Sequence, residues 1–253
     1  MARTDPNLSS REVWAPRLAL WSLRLAIVSL AVSAIGLTLA RYDLIAKLAG
    51  FSALLGGGLI AALALILGIA SLVAALKTAN PARGRGIAGI AISLAYVGFL
   101  ASRPLMVGDA PAIHDITTDL ANPPQFEVLA LRPDNLTGVG TVENWRKIHA
   151  EAYGSLGPIT VAKPVAETTA DAVRLAKDAG WTIAVSDLAR GHVEATASVS
   201  YIRFQDDVVI RIVPTPDDRH SRVDMRSVSR VGVGDLGVNA RRIRSFLEAL
   251  ATA

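Results

Sequence analysis

Cysteine is absent from the 253-residue chain. Its absence excludes disulfide bonds, a thiol nucleophile and thiolate metal ligands in any compartment. Charge is also absent from a long stretch, because Phe51 to Leu76 is a run of 26 residues without a charged side chain. About 20 apolar residues are enough to cross the hydrocarbon core of a bilayer. The run therefore predicts a transmembrane helix and an integral membrane protein.

Two weaker apolar stretches flank this run, at Leu18–Ala40 and Ile87–Ser102. Arg24 interrupts the first stretch, but an arginine at this depth can extend its side chain to the interface, so we predict a retained signal-anchor helix. The alternative is a signal peptide cleaved near Val32–Ala34. The second and third spans contain no ionisable side chain except Tyr96. This disfavours a transporter, since ion paths and proton relays usually need charge inside the membrane.

The positive charge of the chain is confined to its first part. Residues 1–110 contain ten Lys and Arg against four Asp and Glu, a net charge of +6. Residues 111–253 contain 16 basic against 18 acidic residues, a net charge of −2. Basic residues that flank spans act as topogenic signals and contact lipid headgroups. We therefore expect the lipid bilayer as a partner, and no nucleic acid.

The distribution of Lys and Arg among the short segments predicts the orientation. Seven of these residues lie in the N-terminal segment up to Arg24 and in the loop at 77–86, against Arg41, Lys47 and Arg103 on the other side. We expect the N-terminus in the cytoplasm and the C-terminal domain outside it, which in a bacterium is the periplasmic side of the inner membrane. If the first stretch is not a helix, the side of the domain is reversed.

Composition divides the chain into a membrane anchor at 1–107, a proline-rich tether at 108–133 and a domain at 134–253. Periodicity in the domain predicts helices at 142–153, 167–180 and 239–251, and strands at 181–185, 191–204, 207–213 and 221–228. Thr168 or Thr169 is the expected N-cap of the second helix. The predicted fold class is α+β, with an antiparallel sheet of about four or five strands packed on helices.

The tether contains a dense group of polar side chains between Ile113 and Asp119. In one interpretation His114 is a base that Asp115 or Asp119 orients. In the other, these residues form an Asx or Ser/Thr turn that anchors the tether. We favour the turn, because adjacent side chains of an extended chain point in opposite directions.

Alternation along the predicted strands separates an apolar face from a polar face. The apolar face, which should meet the helices, carries Val193, Ala195, Ala197, Val199, Val208, Ile210, Ile212, Val223 and Met225. The opposite face carries His192, Glu194, Thr196, Ser198, Arg211, Arg222, Asp224 and Arg226. We expect this polar face to be solvated. The alternative is a shallow site in which its arginines receive an anionic group.

Gly232–Gly237 matches the pattern G-x-G-x-x-G, which between a strand and a helix is typical of dinucleotide binding. Only 16 residues follow Gly237, so the second strand and the acidic residue of that fold have no place. We therefore exclude dinucleotide binding. An anion could lie at the start of the last helix near Arg230 and Arg242, unless Asp235 occupies that position as an internal cap.

Three sequence blocks follow one another in the second part of the chain: Ile113–Asp119 with Pro123–Pro124, Asp206–Arg211, and Arg226–Gly232 leading to Asp235–Asn239 and Arg242–Ile243. Together they resemble the domain-of-unknown-function family numbered 1499, over residues 110–253. The resemblance implies a domain that often follows N-terminal membrane spans, and it implies no activity. It draws attention, without assigning roles, to Arg211, Arg226, Arg230, Asp235, Asn239 and Arg242.

The predicted function is a noncatalytic binding or accessory module at the membrane surface, without cofactor or metal. It would assist an envelope or membrane complex, or receive an anionic ligand. Its candidate binding residues are the six positions of the resemblance together with His114, Asp115 and Asp119. The alternative is a membrane-bound hydrolase that uses His114 or His192 with a nearby carboxylate, since His192 and Glu194 have H-x-E spacing. No serine lies in a G-x-S-x-G motif.

Overall fold

The computed structural model describes residues 10–77, 83–107 and 110–253. The chain divides into two compact units, Met1–Gly108 and Asp109–Ala253. Except for its first residue, Gly108, the proline-rich segment predicted as a tether falls within the second unit. It is thus part of the folded domain, and the predicted boundary at residue 134 does not separate two units.

Three helices make up the described part of the first unit: α1 (Ser10–Arg41), α2 (Lys47–Ala74) and α3 (Arg83–Val107), with a short 3-10 helix at Ala75–Lys77 after α2. Each helix is long and apolar enough to cross a membrane. This confirms the three spans predicted at 18–40, 51–76 and 87–102. Arg24, which interrupts the first of them, lies over the ring of Trp21.

Small residues allow close contact between these helices. A Cβ on Gly57 would lie 2.0 Å from Ser33 Oγ of α1, so only glycine fits there. Ser22 Oγ on α1 donates a hydrogen bond to the carbonyl oxygen of Ala64 on α2 at 2.8 Å. A Cβ on Gly89 of α3 would meet Ser22 Oγ at 2.3 Å. The small residues of the spans therefore pack the bundle of this chain.

The second unit has mixed helices and strands. Its described elements are β1 (Asp115–Thr117), α4 (Val142–Tyr153), β2 (Ile159–Val161), α5 (Val165–Asp178), β3 (Thr182–Asp187), β4 (His192–Val199), β5 (Phe204–Pro214), β6 (Ser221–Ser229) and α6 (Val238–Ala251). Within this unit six antiparallel strands form one sheet in the order β1-β6-β5-β4-β3, and β2 also pairs with β6. The α+β class is confirmed. β1 and β2 were not predicted, because three residues show too little periodicity.

The apolar face of the sheet packs against α5 and α6. The shared core contains Ala172, Ala176, Val193, Ala197, Val208, Ile210, Ile212, Val223, Met225, Ile243, Phe246, Leu247 and Leu250. In the strands, apolar residues alternate with polar ones, and in the helices they recur about every 3.6 residues. The apolar residues of both therefore lie on surfaces that face each other. The predicted assignment of the apolar face is confirmed.

Two predicted boundaries are wrong. Helix α5 begins at Val165 after an extended Pro164, and Thr169 Oγ1 donates to the carbonyl oxygen of Val165 inside the helix at 2.7 Å. Thr168 and Thr169 are therefore buried helical residues and not N-caps. Strand β4 ends at Val199, since the four residues that follow form a turn with positive φ at Ser200 (65°) and Arg203 (60°).

The polar face of the sheet, which was predicted to be solvated, is covered over much of its area. Four of its eight predicted residues are buried, three are partly buried and one is exposed: His192, Glu194, Asp224 and Arg226; Thr196, Arg211 and Arg222; and Ser198. Residues 119–134, here called the covering segment, cross this face without regular secondary structure and contact it through backbone and side-chain groups. Glu194 and Asp224 have no exposed surface (0%). Alternation along a strand identifies its polar face, but it does not indicate whether an irregular segment elsewhere in the chain packs on that face. The prediction therefore assumed that the face meets water.

Candidate functional site

A buried ion pair on the polar face joins β1 to β6. Asp115 lies opposite Val228, and Thr117 lies opposite Arg226, so Asp115 and Arg226 are diagonal neighbours on one face. Arg226 Nε donates to Asp115 Oδ1 at 2.9 Å, and Nη2 donates to Oδ2 at 2.7 Å. Both side chains are almost fully buried. Because both charges are shielded from water, each is stabilised by its partner and not by solvent.

Asn135 of the loop after the covering segment connects this pair to His114. Its Nδ2 donates to Asp115 Oδ2 at 2.6 Å, and its Oδ1 lies 3.2 Å from His114 Nε2. His114 Nδ1 lies 2.9 Å from the carbonyl oxygen of Val233. Both ring nitrogens thus face oxygen acceptors, and neither presents a lone pair to a substrate. His114 and Asp115, which are adjacent in sequence, are joined only through Asn135.

A cavity of about 620 Å³ opens above the ion pair. Its volume falls within the range of about 300–1,000 Å³ that is common for small-molecule sites. Ten of its fifteen lining residues are uncharged, and the other five are charged. The lining residues are Asp115, Pro123, Gln125, Leu131, Arg132, Pro133, Asp134, Asn135, Leu136, Thr137, Gly140, Val142, Trp145, Arg146 and Arg226.

Arg132 holds the wall of this cavity in place. Its Nε and Nη2 donate to the two carboxylate oxygens of Asp134 at 2.7 and 2.6 Å, and its Nη1 donates to the carbonyl oxygen of Gly232 at 2.7 Å. The hydrogen bonds from Arg132 lower the pKa of Asp134 to about 2, so this carboxylate is ionised over the physiological range. The covering segment is thereby tied to the turn that follows β6.

A second, smaller cavity of about 340 Å³ lies under the covering segment. Leu131 and Arg132 line both cavities and so form the partition between them. Val228, which lies opposite Asp115 in the sheet, belongs to the floor of the second cavity. The two cavities are therefore neighbours on the same face of the sheet.

Helix α4 closes the outer edge of β1. Trp145 Nε1 donates to the carbonyl oxygen of Asp115 at 2.8 Å, and the backbone N–H of Thr117 donates to His149 Nε2 at 3.1 Å. These bonds satisfy edge groups of a strand that would otherwise be free to pair with another chain. Burial lowers the pKa of His149, partly opposed by the charge of Asp115. His149 is therefore neutral and acts here as an acceptor.

Glu194 on β4 anchors the covering segment. Its two carboxylate oxygens accept hydrogen bonds from the backbone N–H groups of Glu127, Val128 and Leu129 at 2.5 to 3.2 Å. His192 Nε2 lies 2.8 Å from the same carboxylate. Burial raises the pKa of Glu194, but the bonds from Leu129 and Glu127 and the His192 ring outweigh it, so the net pKa is below its usual range.

Asp119 pins the start of the covering segment. It accepts from the backbone N–H groups of Ala121 and Asn122, which is the Asx turn predicted for this region, and it pairs with Arg211 at 3.2 Å and Arg222 at 3.3 Å. The hydrogen bond from Asn122 lowers the pKa of Asp119, with the two arginines acting in the same direction against burial. The turn is therefore also an ionic contact with the sheet.

Arg211 and Arg230 also bind carboxylates of the polar face. Arg211 Nη2 donates to the fully buried Asp224 at 3.1 Å. Arg230 donates from Nε and Nη2 to Asp207 at 2.9 and 2.8 Å, beside the smaller cavity. Together with the pair of Arg226 and Asp115, this leaves the three arginines bound to different carboxylates. They do not converge on one open site.

Asp235, Asn239 and Arg242 lie on the other face, between the sheet and α6. Asp235 accepts from the backbone N–H groups of Gly237 and Asn239 at 2.9 and 2.6 Å, so it is the internal cap predicted for this helix. Burial raises the pKa of Asp235 even though these donors lower it. Arg242 Nη2 donates to Asp206 at 2.5 Å and Nη1 to Ser227 Oγ at 2.9 Å. Asn239 Nδ2 donates to the carbonyl oxygen of His114 at 2.9 Å.

Of the nine predicted binding residues, Asp115 and Arg226 line the larger cavity and Arg230 lines the smaller one. His114 is not among the lining residues of either cavity and reaches Asp115 only through Asn135. The wall of the larger cavity also contains four polar or aromatic side chains that were not predicted as site residues: Arg132, Asn135, Trp145 and Arg146. The predicted helix at 142–153 already placed Trp145 one turn from His149. No pattern in the segment at 119–135 indicated which of its side chains would return to β1.

Within the described residues, no group of three or more His, Asp or Glu side chains is arranged to hold a metal ion. Residues 115–250 match the family described as Protein of unknown function (DUF1499). The match covers more than half of the chain, and the chain belongs to this family. No match was found among curated proteins or solved structures.

Proposed function

We propose that this protein is a membrane-anchored binding module, noncatalytic and extracytoplasmic, whose site is the cavity above Asp115 and Arg226. The observation that carries the proposal is the cavity itself, about 620 Å³ with mainly apolar walls and a charged floor that is paired internally. Such a site binds and orients a ligand without offering a free acid or base. The bound partner would be a small ligand, or a segment of another protein in an envelope or membrane complex.

A hydrolase is less well supported by the same geometry. The distance between His192 and Glu194 is within hydrogen-bond range, which a base and its orienting carboxylate require. However, Glu194 already accepts from three backbone N–H groups. Neither residue is among those that line the two cavities described above. The pair therefore serves to hold the covering segment on the sheet.

The extracytoplasmic placement is supported by the excess of Lys and Arg in the sequence around the N-terminus and at residues 77–86. A fusion after Ala253 tests it. We expect activity from a reporter that works only outside the cytoplasm and none from a reporter that works only inside. The opposite pattern would reverse the proposed topology and leave the binding proposal to be judged separately.

The binding proposal is tested by purifying the full-length protein from its own membrane after crosslinking and identifying bound molecules by mass spectrometry. Val142→Trp places an indole at the cavity wall and should reduce recovery of the bound molecule. Leu188→Trp adds the same bulk at an exposed turn outside the cavity lining and should leave recovery unchanged. Equal recovery with both variants would show that the cavity is not the site.

A further inference from the structure

The charges around the larger cavity cancel except for one. Arg226 pairs with Asp115 and Arg132 pairs with Asp134, so four of the five charged lining residues form two ion pairs. Arg146 is the fifth. Within the part of the chain that the structure describes, its guanidinium has no carboxylate partner. The cavity therefore carries one uncompensated positive charge.

Arg146 is held at the wall and keeps donors free for a ligand. Its Nε donates to the carbonyl oxygen of Leu120 at 3.2 Å, which fixes the plane of the guanidinium. Its two terminal amino groups form no hydrogen bond to another described residue. These groups match the two oxygens of a carboxylate or of a phosphate, which an arginine can receive in a bidentate manner.

The rest of the wall is suited to an apolar body. Six side chains contribute apolar surface: Pro123, Leu131, Pro133, Leu136, Val142 and Trp145. The polar atom of Trp145 is already committed, because its indole N–H donates to the carbonyl oxygen of Asp115. Burial of apolar ligand surface against such a wall contributes about 25 cal/mol per Å². An inorganic anion alone would leave this surface unused.

We propose that the ligand of this cavity is an anionic amphiphile, with a carboxylate or phosphate head at Arg146 and an apolar chain against the six apolar side chains. This inference rests on the proposed function, since it assigns a ligand class to the same cavity. A cationic head is disfavoured, because both lining carboxylates are engaged by arginines. A neutral head would provide no counter-charge for Arg146.

The test is calorimetric titration of the full-length protein in nanodiscs of a zwitterionic lipid. The probes are octanoate, octyl phosphate, 1-octanol, octylamine and inorganic phosphate. We expect saturable binding of octanoate or octyl phosphate, whichever head fits, at least about tenfold tighter than that of octanol, octylamine or phosphate. Partition into the bilayer is corrected by the same titration of empty nanodiscs.

Two arginine variants isolate the head-group contact. Arg146→Ala removes an exposed side chain and should weaken binding of the anionic probe about tenfold, with octanol binding unchanged. Arg219→Ala removes an exposed charge of the same sign in the turn between β5 and β6 and should change neither. Circular dichroism of both variants confirms that the fold is retained.

Three results would overturn the inference. Octanol could bind as tightly as the anionic probes, inorganic phosphate could bind as tightly as octyl phosphate, or Arg146→Ala could leave anion binding intact. In each case the proposed function still stands if Val142→Trp reduces recovery of the native ligand or partner. If Val142→Trp has no such effect, the cavity itself is the wrong site and both proposals fail.

Discussion

Asp115 on β1 and Arg226 on β6 face each other as a bidentate ion pair, with N–O distances of 2.9 and 2.7 Å, under the larger cavity. Asn135 adds a third contact to Asp115 at 2.6 Å. The pair thus joins an edge strand of only three residues to the rest of the sheet, and it forms the floor of the proposed binding site. Because both side chains are buried, loss of one partner should lower the free energy of unfolding.

Asp115→Ala should lower the free energy of unfolding by about 3–5 kcal/mol, because it leaves the guanidinium of Arg226 buried without a partner. Asp115→Leu combined with Arg226→Met should cost less than the single change. Chemical denaturation of the full-length protein, followed by near-UV circular dichroism, measures both. Asp178→Ala, at an exposed position on α5, is the control and should change stability by less than about 0.5 kcal/mol. A double variant less stable than the single one would contradict this account.

Glu194→Gln should loosen the covering segment without unfolding the domain. The substitution replaces an acceptor-only carboxylate by an amide, whose NH₂ group opposes the backbone N–H donors of Glu127 to Leu129. We expect amide hydrogen exchange at these three residues to accelerate by about tenfold or more. Glu248→Gln on the exposed side of α6 is the matched control. Unchanged exchange in the first variant would show that Glu194 does not anchor the segment.

His149 should make stability depend on pH. Its pKa in the folded state is lowered from 6.5 by burial, so the unfolded chain binds the proton more readily. Its contribution is therefore complete above about pH 6.5 and is lost as the pH falls below that value. Asp115 and Tyr153 are its titratable neighbours, and Tyr153 does not titrate in this range.

The measurement is the denaturation midpoint of the full-length protein between pH 7.5 and pH 5. His149→Gln should lower the midpoint at neutral pH, because the acceptor for the Thr117 N–H is less well placed, and should flatten its fall toward pH 5. Lys147→Gln, at an exposed position on the same helix, serves as the control and should retain the slope of the natural chain. A slope unaffected by His149→Gln would refute the assignment.

Gly57→Val should destabilise the helix bundle of the first unit. A Cβ at this position would lie 2.0 Å from Ser33 Oγ and 2.8 Å from the carbonyl oxygen of Ser29, so α1 and α2 would have to separate. Overpacking of this kind costs about 1–3 kcal/mol. The neighbouring Gly56→Val meets nothing within 4 Å and is the control. Thermal stability in detergent, followed by size-exclusion chromatography, should fall only for Gly57→Val.

Much of the fold could be predicted from the periodicity of apolar residues in the sequence. The three spans, helix α4 with its limits at Val142 and Tyr153, and strands β5 and β6 were predicted close to their observed positions. These elements bury a face or a whole surface, and their sequence repeats with the period of the structure. The cap of α5 was predicted wrongly, because Thr168 and Thr169 have the side chains of caps but lie within the helix core.

The candidate site could be predicted from the sequence only in part. Asp115 and Arg226 were both named, but as members of two groups, a turn and a solvated sheet face. Their pairing depends on the register between β1 and β6, which brings residues 111 positions apart into contact. Arg146 was not named, because a single arginine on an amphipathic helix looks the same in sequence whether it lines a cavity or faces water.

The amino-acid sequence by itself determined the apolar spans, the absence of thiol chemistry, the membership of the α+β class and the separation of apolar from polar strand faces. These properties follow from local composition and periodicity, which need no partner elsewhere in the chain. Only the tertiary structure decided that residues 119–134 cover much of the polar face and that its arginines are paired. It also decided that Arg146 lines a cavity without a carboxylate partner among the described residues, because the pairing of charges depends on contacts between distant segments.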